Sequence, residues 1–589
     1  KGYHLRAFNS FFEYCIWKNV CETKLGWPSV DIGQFYCVQA MAQAKSFPGS
    51  LAGAAEALEL PTTKDKEGKR LINMFSKPSR KADEDWKEPE NYPEDFARFG
   101  QYCEVDVDVQ IGIAEAVGPL SDFEYNVFLM TERINAVGLP IDIDMVYGAI
   151  NLVAKSVQTS NGIFQRITGT TLNLSQKAAI KNWLEEDGLP LPNMQAGTLD
   201  KKIKSPKIHD RHRKILSLIR SAGKISTSKY KKAIEIIGSD FFIHGILKYH
   251  RARTGRWGGV GIQPQNFART SLPGWVDYEY LAQLIAEQDY EIIEVLYGDV
   301  MEALSSALRS MICAVDGKKL VTADYAQIEA RVGFWVAGEE EALEVFRQNK
   351  DIYKVMAMDI YKKKEKDITS DERFIGKQCI LGLGFQMGAK KFKKNLYDQF
   401  DTIIPTEFAE ENVAAYRKKY PRVKKIWGEL NKAAIKAVDN INCPFAVGPQ
   451  RLIYEYDGEY LTCKLPSGRK IHYYNPRVCM VASPWAPGEK MAQLTFMGVD
   501  GFTNKWTRLS TYGGMLLENA VQAIARDLMC CGMINAEEHG YPSLFTVHDE
   551  SISMVPDEPC YSYQEYEKLL SKTPDWAKGI PVVAEGWEG

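Results

Sequence analysis

The sequence predicts a multidomain α/β protein, and three observations carry that prediction. The chain has 589 residues, enough for several domains with buried cores. Residues 119 to about 245 are lysine-rich and patterned as helices. From His244 onward, short apolar runs that read as strands alternate with helical stretches. Two of those runs end in carboxylates: Leu320-Val321-Thr322-Ala323 leads into Asp324, and Leu544-Phe545-Thr546-Val547 leads into His548-Asp549-Glu550.

Taken in order, residues 1 to about 118 mix strand-like and helical stretches. A charged, proline-containing excursion from Lys64 to Pro93 reads as a long surface loop. Ser121-Asp122-Phe123-Glu124 has the spacing of a capping box and marks the start of the helical stretch. The glycine-rich Thr254-Gly255-Arg256-Trp257-Gly258-Gly259 opens the α/β part. Asp324 stands at a strand-to-helix transition with Gln327, Glu329 and Arg331 behind it. Asp549 sits at a hairpin tip, before the alternating Ser551-Ile552-Ser553-Met554-Val555.

Composition narrows the class. Apolar residues make up 45% and charged residues 25%, as in ordinary soluble globular proteins. No run of about 18 apolar residues occurs, so no membrane span is expected. Twelve cysteines without a Cys-x-x-Cys pair fit a reducing compartment better than a disulfide scaffold or a zinc site. The start, Lys1-Gly2-Tyr3-His4, is neither a signal peptide nor a start-codon product and reads as the beginning of a fragment. A formal net charge of −3 gives no overall attraction to polyanions, so the distribution of charge decides. Basic clusters stand at Lys201-Lys202-Ile203-Lys204, Arg211-His212-Arg213-Lys214, Lys390 to Lys394 and Arg417-Lys418-Lys419.

Between the two carboxylate segments, Thr369 and Glu372 have capping-box spacing for a helix start. Arg373, Lys377, Leu381 and Phe385 follow at steps of four. Such a step drifts by about 40°, so the four share one broad helix face. Two cations near the positive end of the helix dipole suit a triphosphate, and the apolar pair beyond them suits a sugar and base. Two strand-end carboxylates can hold a pair of Mg²⁺ ions across the attacking and leaving oxygens of a phosphoryl transfer. Together these elements suggest nucleotide polymerisation.

Asp324 to Arg331, Arg373 to Phe385 and His548-Asp549-Glu550 resemble motifs A, B and C of the family A DNA polymerases, in the family's order. Thr254-Gly255-Arg256, Gln265-Asn266 and the stretch Glu518 to Asp527 also match. Leu465-Pro466-Ser467-Gly468-Arg469 and Tyr512-Gly513-Gly514 resemble the bacteriophage branch. The resemblance implies an α/β right-hand polymerase of palm, fingers and thumb, with an N-terminal RNase H-like 3′–5′ exonuclease domain. The expected boundaries are exonuclease-like 1–118, thumb 119–245, first palm part 246–340, fingers 341–440 and second palm part 441–589.

By the same resemblance, Asp324 and Asp549 hold two Mg²⁺ ions, with Mn²⁺ as an alternative, and Glu550 stands beside them. Arg373 and Lys377 take the triphosphate; Leu381, Phe385, Gln327, Glu329 and Tyr353 surround the nucleotide. Glu329 matches the residue that crowds the sugar 2′ position. Arg256, Gln265, Asn266, Gln522, Arg526 and His548 match residues facing primer-template DNA, and minor-groove acceptors common to every base pair would let them test pair shape. Leu381 stands where Phe or Tyr is usual, Phe385 for Tyr, Ala326 for Ser and Tyr353 for His, and none of these changes removes a metal ligand or a phosphate cation.

Asn9-Ser10-Phe11-Phe12-Glu13 resembles the second exonuclease motif, with Glu13 where Asp is common, and Tyr102-Cys103-Glu104-Val105-Asp106 resembles the third. Tyr102 and Asp106, four residues apart, share a helix face able to hold a water and a metal. The first motif, Asp-x-Glu, is expected upstream of Asn9. The implied partners are primer-template DNA and deoxynucleoside triphosphates, for a monomer in the cytoplasm of a bacterial host. Three other readings stay open: a single-subunit RNA polymerase, which Glu329 argues against; a polymerase-derived DNA-binding protein without activity; and a protein whose main task is nuclease digestion.

Overall fold

The computed structural model describes residues 3–60, 67–77, 87–268, 270–482 and 488–588. Its central sheet has four strands in the order Ser543–Val547, Glu550–Pro556, Lys318–Tyr325, Ala584–Glu588. Every pairing in it is antiparallel. Lys318–Tyr325 is an interior strand, which is why Val321, Thr322 and Ala323 are buried together rather than in strict alternation. Behind the sheet runs the 26-residue helix Gly513–Glu538, buried along most of its length. A single core continues from this sheet through the helices on either side of it.

The helical segment expected after residue 118 is present. Helix Asp122–Val137 is followed by Ile143–Thr168, capped by Asp142 and about 39 Å long at 1.5 Å per residue. Its outer end has a small core of its own, built on Phe164, Leu184, Ile215 and Leu216. Gly148 lets the long helix cross helix Tyr278–Ala286 closely, since a Cβ there would lie 2.0 Å from the Ile285 carbonyl oxygen. One local expectation changes. Ser121 does cap its helix, accepting from the Glu124 amide at 3.4 Å, but the Glu124 carboxylate turns inward to Arg526 and does not close a capping box.

Residues 340–439 form six helices, from Glu340–Arg347 to Pro421–Asp439. After them comes a feature that sequence patterning did not single out, a six-stranded antiparallel meander from Phe445–Val447 to Trp506–Thr511. Its strands alternate imperfectly, because Lys470–Ala482 shifts register between Tyr474 and Arg477. Ser467-Gly468-Arg469 turns back at one of its hairpins with Gly468 at φ 89°, and the hairpin is pinned to the long helix through Asp527. Ser467 Oγ donates to Asp527 at 2.5 Å and Arg469 Nε at 2.7 Å, while Arg469 also donates to the Thr254 carbonyl at 2.9 Å.

The N-terminal part pairs strands Leu5–Ala7 and Phe35–Cys37 in parallel and packs them on helices including Val38–Ala44 and Pro93–Val117. It docks on the meander through Phe47, whose ring meets Trp506, Tyr474 and Tyr460. The excursion from Lys64 to Pro93 is not a plain loop. Residues 64–66 and 78–86 lie outside the described residues, but Gly68–Phe75 is a helix held down by buried Leu71 and by Phe75 stacked on Phe99.

Candidate active site

Strand register assembles the first part of the site. Asp324 lies directly opposite Glu550 on one side and Glu585 on the other. Residues opposite one another in an antiparallel sheet project to the same face with Cβ atoms about 5 Å apart. Three carboxylates in a row repel each other, and a carboxyl held among them resists ionisation. Desolvation first, then Asp549 and Glu585, pushes Asp324 up to about 6. Burial and Asp324 likewise push Glu550 up to about 7, against the pull of Arg309. Asp549 follows His548, which turns the hairpin at φ 55°, and the Asp549 carbonyl accepts from the Tyr325 amide at 3.1 Å.

This row fits a divalent cation. Hard oxygen donors and unrelieved like charge are what Mg²⁺ neutralises. Among the described residues, no group of three His, Cys, Asp or Glu side chains forms a ready-made metal cage. A metal held by Asp324 and Asp549 would need further oxygens from substrate phosphate and water, the usual manner of Mg²⁺ in nucleotide sites. Glu585 was not singled out from sequence; its only local signal is a charged residue inside the strand Ala584–Glu588.

The second part is the helix Ser370–Leu383. Both halves of the capping box at Thr369 and Glu372 are formed. Arg373 Nε donates to Asp351 at 2.5 Å, and Asp351 also caps the neighbouring helix Ile352–Tyr361. The Tyr353 ring lies under both cations, 5.3 Å from the Arg373 guanidinium and 5.9 Å from Lys377 Nζ. Burial raises the Tyr353 hydroxyl to about 12, so it stays a neutral phenol beside the two charges. The helix ends at Leu383, so Phe385 stands just beyond it rather than on its last turn. Trp427 Nε1 captures the Gly384 carbonyl at 2.8 Å and fixes that end. Gly513 and Gly514 let the long helix start against this corner, where a Cβ on Gly514 would lie 2.4 Å from the Phe385 carbonyl oxygen.

The two parts meet. Glu329, Leu381, Gly384 and Phe385 line one largely apolar pocket with Phe334 and Tyr416. Gln327 adopts φ 47° and begins the helix Ile328–Ala337 that carries Glu329. Arg331 is buried; it donates to the carbonyls of Ala326 and Pro581 at 2.7 and 2.8 Å and so braces the strand-to-helix turn.

The residues expected to face DNA divide sharply. His548 and Asn266 are exposed, and Gln522 is half-buried on the long helix, 3.4 Å from Glu518. Gln265 is tied to the sheet, donating to the Thr546 carbonyl at 2.7 Å. Arg256 reaches into the active site, pairing with Glu329 at 2.7 Å and with Asp549 at 2.9 Å. Arg526 departs from the expectation of a DNA contact. It is 2% exposed, its guanidinium grips both oxygens of Glu124, and it donates to the Gly255 carbonyl at 3.1 Å. Pairing lowers Glu124 to about 2 although burial opposes it.

In the N-terminal part, the Phe8 amide donates to Gln110 at 2.9 Å, which brings Asn9 to the helix of Asp106, one turn from Gln110. Asn9 accepts from Lys248 at 3.1 Å. Glu13 has a buried carboxylate oxygen without a hydrogen-bond partner, and burial raises its pKa. Tyr102 shares the helix Pro93–Val117 with Asp106, but its ring is buried against Phe99 and Gly68 rather than open to solvent.

Comparison with known proteins agrees with this geometry. The family model for DNA polymerase family A matches residues 150–440. The DNA polymerase of Bacillus phage SP02 is 32% identical over 571 residues, spanning 94% of this chain and 84% of that protein. The DNA polymerase of Bacillus phage SP01 matches more locally, 21% over 229 residues, covering 39% of this chain and 22% of the relative. Among solved structures, the POL domain of Pol1 from M. smegmatis, in complex with DNA primer-template and dNTP, superposes with a TM-score of 0.59 at 15% identity. That match covers 99% of this chain and 85% of the other. The chain therefore belongs to DNA polymerase family A and is a DNA-directed DNA polymerase.

Proposed function

We propose that the chain adds deoxynucleotides to a primer 3′ end as the template directs, with Asp324 and Asp549 as the carboxylates that hold two Mg²⁺ ions. The observation that carries this reading is the row of carboxylates across one end of the sheet with Asp549 in the adjoining turn, and the cations of Ser370–Leu383 and the pocket of Glu329 beside it. Bound Mg²⁺ would supply Lewis-acid stabilisation of the attacking and leaving oxygens. The protein's own groups supply positioning and fixed charge. Arg373 and Lys377 neutralise the triphosphate, and Lys377 donates a proton to the departing pyrophosphate. Tyr353 keeps both cations on one side. Leu381 and Phe385 cover the sugar and base, Gln327 lies at the same edge, and Glu329 closes the 2′ side. Arg256, paired with Asp549 and Glu329 without DNA, would join Gln265, Asn266, Gln522 and His548 along the primer-template.

On this reading the thumb is 119–245, the palm 246–340 and 441–589, and the fingers 341–440. Residues 1–118 form an exonuclease-related domain in which Glu13 and Asp106, with Asn9 and Tyr102 near them, are the remaining motif residues. The setting is bacteriophage genome replication in the host cytoplasm, by a monomer. No helix among the described residues is long and apolar enough to cross a membrane.

Primer extension with each deoxynucleotide offered singly against each template base tests the reading. Only the complementary nucleotide should be added; no extension with either Mg²⁺ or Mn²⁺ would defeat it. Glu329→Ala should admit ribonucleotides more readily while keeping deoxynucleotide addition, and unchanged sugar selectivity would remove Glu329 from that role.

A further inference from the structure

A second cationic site lies beside residues 250–253, shortly before Arg256 in the chain. Three segments border an open cleft of about 560 Å³: residues 46–50 of the N-terminal part, residues 250–253, and residues 499–504 at the edge of the meander. Arg251, Arg253 and His250 line it, and no carboxylate does among the described residues. Asp500, in the segment 499–504, is engaged in its own turn. It accepts from the Thr503 amide and hydroxyl, both at 2.8 Å.

Arg253 is the informative residue. Its guanidinium lies over the Phe496 ring at 4.2 Å, and its Nε is buried without a hydrogen-bond partner. No carboxylate pairs with it among the described residues, and burial lowers its pKa. A partly buried guanidinium held on aromatic rings without an anion carries a desolvation cost, which an anionic ligand would offset. His250 adds a second orphan. It is 4% exposed, its Nδ1 has no partner, and burial beside Arg469 and Arg526 keeps the ring neutral.

Glycines make room for both arginines. A Cβ on Gly498 would lie 2.3 Å from Arg253 Nη2, and one on Gly258 would lie 2.5 Å from Arg251 Cγ. The backbone is thus shaped around two cations that meet no carboxylate among the described residues.

We propose that this cleft binds phosphate carried by a single DNA strand lying between the N-terminal part and the palm. The cleft is open and larger than one phosphate needs, and Arg253 is three residues from Arg256. A continuous strand therefore suits it better than a lone ion. Free nucleotide or pyrophosphate presents the same chemistry and is the other source to be tested. The choice of DNA rests on the polymerase reading above; the phosphate site itself does not.

The test uses the full chain with a hairpin primer-template already bound, so that the polymerase site is filled. A fluorescent ten-residue oligothymidylate is then titrated, with deoxyadenosine triphosphate and pyrophosphate as competitors. Arg253→Gln and Gly498→Ala should each weaken oligothymidylate binding several-fold. Arg253→Gln should also reduce the salt slope by about 1. Extension of the hairpin should stay at the wild-type rate. Competition by the small phosphates, with no binding of oligothymidylate, would reassign the site to a free nucleotide and overturn the strand proposal. Wild-type affinity for all three probes in both variants, with unchanged melting temperatures, would overturn the phosphate site itself. If Gly498→Ala melts early, Arg251→Gln replaces it as the second variant, with the same expected loss. Failure of wild-type primer extension alongside intact binding would instead count against the polymerase reading.

Discussion

The palm and the N-terminal part both present acidic residues, but on different supports. Asp324 stands on an interior strand of a four-stranded sheet, with Glu550 and Glu585 set opposite by register. Glu13 and Asp106 sit on helices, beside a sheet of only two strands. A strand in a packed sheet has no freedom to slide or rotate its side chain away, because a one-residue slip would turn every core residue outward. A helix held by fewer neighbours has more. The difference teaches where chemistry is fixed by the core and where it depends on additional structure.

The largest expected effect breaks the palm alone. Asp324→Ala should slow single-turnover primer extension by at least ~1000-fold, since several kcal/mol of charge stabilisation go with the metal site. Its melting temperature should not fall, because removing one of three mutually repelling carboxylates relieves repulsion at that end of the sheet. A large drop in melting temperature would mean that the row is structural.

The next effect separates positioning from metal binding. Arg373→Ala and Lys377→Ala should each cost about 100- to 1000-fold in kcat/KM, the range for a preorganised charge at a reacting phosphate. Lys377→Ala should act mainly on the chemical step; an unchanged single-turnover rate would remove its proton-donating role.

The third effect is on stability. Glu124→Gln leaves Arg526 as a buried charge held only by Asp527 and a carbonyl, and should destabilise the fold by ~3–5 kcal/mol. Glu124 is lowered from 4.5 to about 2, so its share of stability is full above about pH 4.5 and is lost as pH falls toward 2. Urea melts at pH 7 and pH 3 should show the mutant and wild type converging in acid. A constant gap would remove Glu124 as the cause.

The same contrast explains what was legible in the sequence. Asp324 and Asp549 could be read because each interrupts an apolar strand, a purely local signal. The capping box at Thr369 and Glu372 was local as well, and it formed as expected. Arg526 was not legible, because its partner Glu124 lies 402 residues earlier and nothing nearby marks it as buried. Glu585 and the meander depend on strand pairing, which local patterning does not encode. The helix Gly68–Phe75 was hidden by its charged surroundings, since only Leu71 and Phe75 anchor it.

Nucleotide addition is assigned to Asp324 and Asp549, on the palm sheet and its hairpin tip, and not to the helix-borne acids. Rapid-quench primer extension by Asp549→Ala and Asp106→Ala, side by side with wild type in Mg²⁺, tests it most directly. Asp549→Ala should lose extension by at least ~1000-fold while still binding primer-template, and Asp106→Ala should extend at the wild-type rate. Extension surviving in Asp549→Ala, or lost in Asp106→Ala with its fold intact, would remove Asp324 and Asp549 from that role.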